Sequence, residues 1–145
     1  KLPKEKKNNI RKLHKTDEIL KGKRVLVVDD DERNVYSLLS ALGQEGLKCF
    51  QAGNGKEALD VLKKEKAIDL ILMDIMMPEM DGFEATRVIR NLPAYRRVPI
   101  IALTAKAMKE DRVRCFEAGA SDYLAKPLEI DELLSVLRAS LRPRD

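Results

Sequence analysis

The sequence predicts an α/β fold: a doubly wound parallel sheet of five strands with helices on both faces. Three observations carry this. Short apolar runs alternate strictly with helix-period segments from residue 24 onward. Several of those runs, such as Val25-Leu26-Val27-Val28 and Leu70-Ile71-Leu72-Met73, are continuous, as in strands buried on both faces. The alternating part is also about the size of one such domain.

The elements follow in order. Residues 24–28 form a first strand ended by acids. Val35, Leu38, Leu39 and Leu42 recur at i, i+3, i+4, i+7 and mark one face of a helix. Residues 47–52 partly alternate in polarity, as an edge strand does. Asn54 with Glu57 three residues later reads as the N-cap of a helix carrying Ala58, Leu59 and Leu62. A strand over 69–74, a helix over about 82–91 and a strand over 98–103 come next. A helix over about 107–118 stops at Gly119, and Asp122-Tyr123-Leu124-Ala125 is a short fifth strand. The last helix aligns Ile130, Leu133, Leu134, Leu137 and Leu141. Right-handed crossovers in a chain of this size favour the flavodoxin-like strand order 2-1-3-4-5.

Composition narrows the function classes. Of 145 residues, 44% are hydrophobic and 36% charged, the balance of a globular chain. No apolar run is long enough to cross a bilayer and the first residues do not resemble a signal peptide, so membrane insertion is not expected and a reducing cytoplasm is the default. Cys49 and Cys115 lack metal-ligand spacing and read as small buried hydrophobes. The net charge of +4 is unevenly spread: residues 1–24 carry +7 and the remainder −3. A basic linker or leader over 1–22 thus precedes a slightly acidic folded body over 23–142, with 143–145 as a tail. That distribution argues against nucleic-acid binding by the folded body. His14, the one histidine, reads as a linker residue, which excludes a Ser/His/Asp triad or a zinc-ligand set. The stretch AGNGKEAL (52–59) departs from a phosphate loop, because Phe50 stands at the first glycine and Glu57 follows Lys56.

Sites in such folds form beyond the carboxyl ends of the strands. Strand 1 ends in Asp29-Asp30-Asp31, strand 3 in Asp74, strand 4 in Thr104-Ala105, and strand 5 runs into Lys126-Pro127. Any one of these acids could simply end a strand in solvent. Two carboxylates about 4 Å apart repel by roughly 4 kcal/mol at an effective dielectric near 20, so a cluster of three calls for protonation or a cation. The all-oxygen donor set suits a hard one, Mg2+ or Mn2+ in its place, and so phosphoryl chemistry. Asp31 and Glu32 read as acids that complement a helix N-terminus.

The segments VLVVDDD (25–31), LILMDIMMPEMDG (70–82), PIIALTA (99–105) and DYLAKP (122–127) resemble the receiver domain of two-component phosphorelay proteins, most closely receivers fused to hybrid sensor histidine kinases. The resemblance implies that Asp74 is a nucleophile accepting a phosphoryl group from a phosphohistidine on a histidine kinase or histidine phosphotransfer domain. It implies Mg2+ held by Asp30, by Asp29 directly or through water, by Asp74, and by the backbone carbonyl of Met76. Lys126, the Thr104 hydroxyl and the Ala105 N–H would bind phosphoryl oxygens, and the Lys126–Pro127 bond would be cis. Thr104 and Tyr123 would form a switch that reshapes the helix 4–strand 5–helix 5 face, also a candidate dimer interface. Such a domain catalyses only its own phosphorylation and dephosphorylation.

Met76 and Lys106, near the acceptor, offer no base to orient an attacking water, so a long-lived acylphosphate is expected. A stand-alone single-domain regulator is the alternative origin. From another class, an Mg2+-dependent Asp-nucleophile phosphohydrolase would need a second Asp where Met76 stands.

Overall fold

A computed structural model describes residues 18–65, 67–77, 80–105 and 109–142. The basic leader before residue 18, His14, Lys106 and the 143–145 tail lie outside them. Five parallel strands, β1 (Arg24–Val28), β2 (Lys48–Ala52), β3 (Leu70–Asp74), β4 (Ile100–Thr104) and β5 (Asp122–Ala125), form one sheet in the order β2-β1-β3-β4-β5. The helices are α1 (Glu32–Gln44), α2 (Gly55–Lys64), α3 (Gly82–Arg90), α4 (Lys109–Ala118) and α5 (Ile130–Leu141), with a 3-10 turn at Pro93–Tyr95. This is the predicted doubly wound, flavodoxin-like α/β architecture, with helices on both faces.

Burial follows strand position. Every residue of β3 and β4 is buried, whereas β2 and β5 at the edges alternate with exposed or half-buried positions. Side chains of a strand point to opposite faces with period two, and the core divides accordingly. Val25 and Val27 pack with Val35, Leu38 and Leu42 of α1 and Leu133 and Leu137 of α5. Leu26 and Val28 pack on the other face with Ala58 and Leu62 of α2 and Ala85 and Ile89 of α3. A smaller cluster of Ile75, Phe83, Ala102, Cys115, Ala118 and Ala120 seats α4, so Cys115 is a buried hydrophobe as expected.

The packed body begins before residue 23. Leu20 is fully buried in the α1/α5 cluster, Ile19 packs against it, and the Gly22 N–H donates to Gly46 O at 2.8 Å. The isolated pair Ile19-Leu20, followed by Lys21 and Lys23, has no periodic neighbours to reveal it.

Local signals explain where the helices start and stop. Asp31, Asn54 and Asp81 cap α1, α2 and α3, each accepting from a backbone N–H of the first turn. Glu57 reaches back to the Gly53 N–H, closing the cap that Asn54 opens. Gly119 ends α4 at φ +113°, a region side-chain-bearing residues seldom adopt. Gly82 is needed for another reason: a Cβ there would strike Asp74 O and lie 2.7 Å from Ile75 Cα. α3 can therefore start hard against the end of β3. Among the described residues, no helix is long and apolar enough to cross a membrane.

Candidate functional site

The parallel register brings the strand ends together. Val28 pairs with Met73, so Asp29 and Asp74 follow side by side. Asp74 pairs with Leu103, and Thr104 pairs with Ala125, immediately before Lys126. The Lys126 N–H donates to Thr104 O at 2.8 Å, and the Lys126–Pro127 bond is cis, as expected.

Asp29 and Asp74 are each 3% exposed, while Asp30 points outward. One carboxylate oxygen from each of the three lies within 4.8 Å of the others. Lys126 Nζ stands 3.2 Å from both Asp29 Oδ2 and Asp74 Oδ1. Both buried acids are also fixed by their own backbone. The Asp31 N–H donates to Asp29 Oδ1 at 2.9 Å, and the Met76 N–H to Asp74 Oδ1 at 3.2 Å. Each is an i to i+2 turn of the kind short acids favour. The Met76 N–H and Lys126 Nζ both approach the same Asp74 oxygen, Oδ1.

Three clustered carboxylates and one ammonium leave the cluster short of positive charge. Burial, and then the neighbouring Asp29, push Asp74 up to about 6, against the opposing pull of Lys126 and the Met76 N–H. Burial alone would lower Lys126, but Asp74 and Asp29 together hold it above its ordinary value. The donor set is oxygen throughout and in excess of its cation. It therefore suits a hard divalent ion, which would relieve the repulsion that burial otherwise forces on Asp74. A cleft of about 530 Å3 opens beside Asp29 and Asp30, lined also by Glu32, Tyr36 and Glu57. A smaller groove of about 190 Å3 lies on the other side of Asp29, against Lys126 and Pro127.

The remaining predicted positions fall around this cluster. Thr104 is 4% exposed at the end of β4, and Ala105 follows it at the surface. Met76 follows the loop, with its side chain 71% exposed. Tyr123 is half-buried on β5 and leans on α4. Beyond the carbonyl expected from the sequence, Met76 contributes its N–H to Asp74. The signal was available, since an aspartate opening a loop commonly turns onto the second N–H ahead. Arg112, which meets Tyr123, was missed.

A lysine-paired carboxylate cluster thus sits at the switch point of a doubly wound sheet, where such folds form their sites. A family model described as the response regulator receiver domain matches residues 25–138, and the chain belongs to that family. It is 41% identical over 119 residues to the response regulator MprA of Mycolicibacterium vanbaalenii, covering 82% of this chain and 50% of that protein. It is 42% identical over 113 residues to the sensor histidine kinase RcsC of Salmonella typhi, covering 78% of this chain and 12% of the kinase. The chain thus spans only part of the length of either relative. Among solved structures it is similar to the receiver domain of sensor histidine kinase PA1611 from Pseudomonas aeruginosa. The TM-score is 0.78 at 38% identity, over 84% of this chain and 99% of that one. That structure was solved with a magnesium ion coordinated in the active-site cleft.

Proposed function

We propose that Asp74 accepts a phosphoryl group from a phosphohistidine of a histidine kinase or histidine phosphotransfer domain, and that this switches the α4–β5–α5 face. One observation carries the reading. Three carboxylates bring an oxygen each within 4.8 Å of one another, and a lysine reaches both buried ones at 3.2 Å. An Asp74 carboxylate oxygen attacks phosphorus, the bond to the donor imidazole nitrogen breaks, and its electron pair stays on the ring, which takes up a proton. Asp30 and Asp29, with Asp74 and the Met76 carbonyl, would hold Mg2+, which when bound neutralises the phosphoryl oxygens. Lys126 places its ammonium on another of those oxygens, and the Thr104 hydroxyl and the Ala105 N–H donate to the rest. The Thr104 hydroxyl moves toward the new anion, and Tyr123 turns inward behind it. The exposed Met76 side chain offers no group to orient an attacking water, so the acylphosphate lasts minutes or longer.

The likeness to RcsC and to the PA1611 receiver supports an origin as the receiver of a hybrid sensor kinase, working in the cytoplasm. Self-association through the α4–β5–α5 face goes with the same reading.

Incubation with acetyl phosphate and Mg2+, read by intact mass, tests the reaction. Wild type gains one phosphoryl group and Asp74→Asn gains none. Equal labelling of the two, or no labelling of wild type, defeats the reading.

A further inference from the structure

We propose that Arg112 is a positioning residue that holds Tyr123 in its present orientation and so sets how readily the domain passes to its phosphorylated conformation. The proposal rests on Tyr123 moving during the switch, as described above.

Tyr123 belongs to the edge strand β5, opposite Ala102 of β4. Its ring is held from the α4 side by two residues four apart, Arg112 and Phe116, which share one helix face. Phe116 meets it edge-on, with ring centroids 6.1 Å apart at 87°. The Arg112 guanidinium lies 5.6 Å from the ring centroid, and its Nη1 donates to the tyrosine Oη at 3.0 Å. Arg112 thus touches both the face and the tip of the ring.

The orientation of the arginine is itself unusual. Its Nε is buried and has no hydrogen-bond partner among the described residues. An arginine on a surface helix ordinarily extends its head into water. Here the head is drawn down, and a buried donor is left unmet, in an arrangement that keeps contact with Tyr123. Arg114, two residues on, stays exposed and stacks on Phe83 at 4.2 Å instead. The two arginines of α4 therefore rest on different aromatic rings, and only Arg112 touches the tyrosine of β5.

A contact made in one of two states biases the equilibrium against the other by its full differential worth. An inward Tyr123 leaves Arg112 Nη1 and the Phe116 ring behind. Arg112 therefore favours the unphosphorylated state, and its removal raises the population competent to hold a phosphoryl group.

Incorporation of 3-fluorotyrosine tests this, because Tyr36, Tyr95 and Tyr123 are the three tyrosines and Tyr→Phe variants assign their resonances. Arg112→Met keeps the stem and removes the donor. It is expected to move the Tyr123 resonance alone in the absence of ligand, and to tighten beryllofluoride binding with Mg2+ roughly 3- to 10-fold, the fold-change of about one hydrogen bond. Tyr123→Phe, which lacks Oη, shifts the affinity the same way, and the double variant adds little further. An unchanged or weakened affinity in both single variants overturns the proposal. Should Arg112→Met fail to fold, Tyr123→Phe decides alone. Wild type that does not bind beryllofluoride, or Asp74→Asn that does, defeats the phosphoacceptor reading instead. In that case the Tyr123 resonance of Arg112→Met still reports whether the arginine holds the ring.

Discussion

The two ends of the sheet treat charge in opposite ways. At the amino end, the Arg90 guanidinium donates to the carbonyls of Gly119, Tyr95, Arg96 and Val98 at 2.6–3.2 Å, and to Ser121 Oγ at 3.2 Å. The Tyr95 hydroxyl beside it donates to Glu65 O at 2.7 Å and lies 3.2 Å from Leu62 O. At the carboxyl end, three carboxylates cluster and two of them share one ammonium. One end is saturated with neutral acceptors and ties together α3, the 3-10 turn and the starts of β4 and β5. The other keeps like charges close together, with Lys126 against two of them. Stability and chemistry thus occupy opposite edges of the same five strands.

Arg90→Ala is the strongest way to break the comparison. It strands several backbone carbonyls at once and is expected to cost about 3–5 kcal/mol in urea unfolding, while leaving the Mg2+-dependent labelling of the folded fraction intact.

At the other edge, Asp74→Asn should act with the opposite sign. Without divalent ions at pH 7, removing the buried charge is expected to stabilise the protein by roughly 1–3 kcal/mol. The pH dependence sharpens this. The folded protein keeps a proton on Asp74 that the unfolded chain has lost, since the acid sits at about 6 rather than its ordinary 3.8. Wild-type stability should therefore fall as pH rises through about 4 to 6 and level off above. The fall should be absent in Asp74→Asn and offset by Mg2+, as urea midpoints across that range would register.

Tyr95→Phe is the smallest test. It should cost about 1 kcal/mol in the same unfolding measurement and leave labelling unchanged. If labelling fell with it, the division between the two edges would not hold.

How much of this the sequence disclosed depends on whether a residue acts within a pattern. The apolar runs of β1, β3 and β4 and the spacing in α1 and α5 are periodic, so strand order and core were legible. Asp29, Asp30, Asp74, Thr104 and Lys126 stand where strands end, so the cluster was legible once the order was known. Arg90, Arg112 and Leu20 each act through long-range contacts of one side chain. Arginines near the end of α3 or within α4 look like any solvated charge, and nothing local marks the carbonyls or the ring they meet. Element edges shifted by a residue or two where capping geometry, rather than hydrophobicity, decides.

The burial of Leu20 has a consequence for how the domain is hung. Leu20 anchors the incoming chain just before β1, at the amino edge, and α5 runs antiparallel to the strands and returns to that same edge. Five strand residues, about 16 Å, separate that tether from the Asp74 end. Both described ends of the chain therefore lie at the amino edge, across the sheet from the acids. A cut at residue 23 would preserve every acid of the cluster and still loosen the mount, by emptying the space that Leu20 fills.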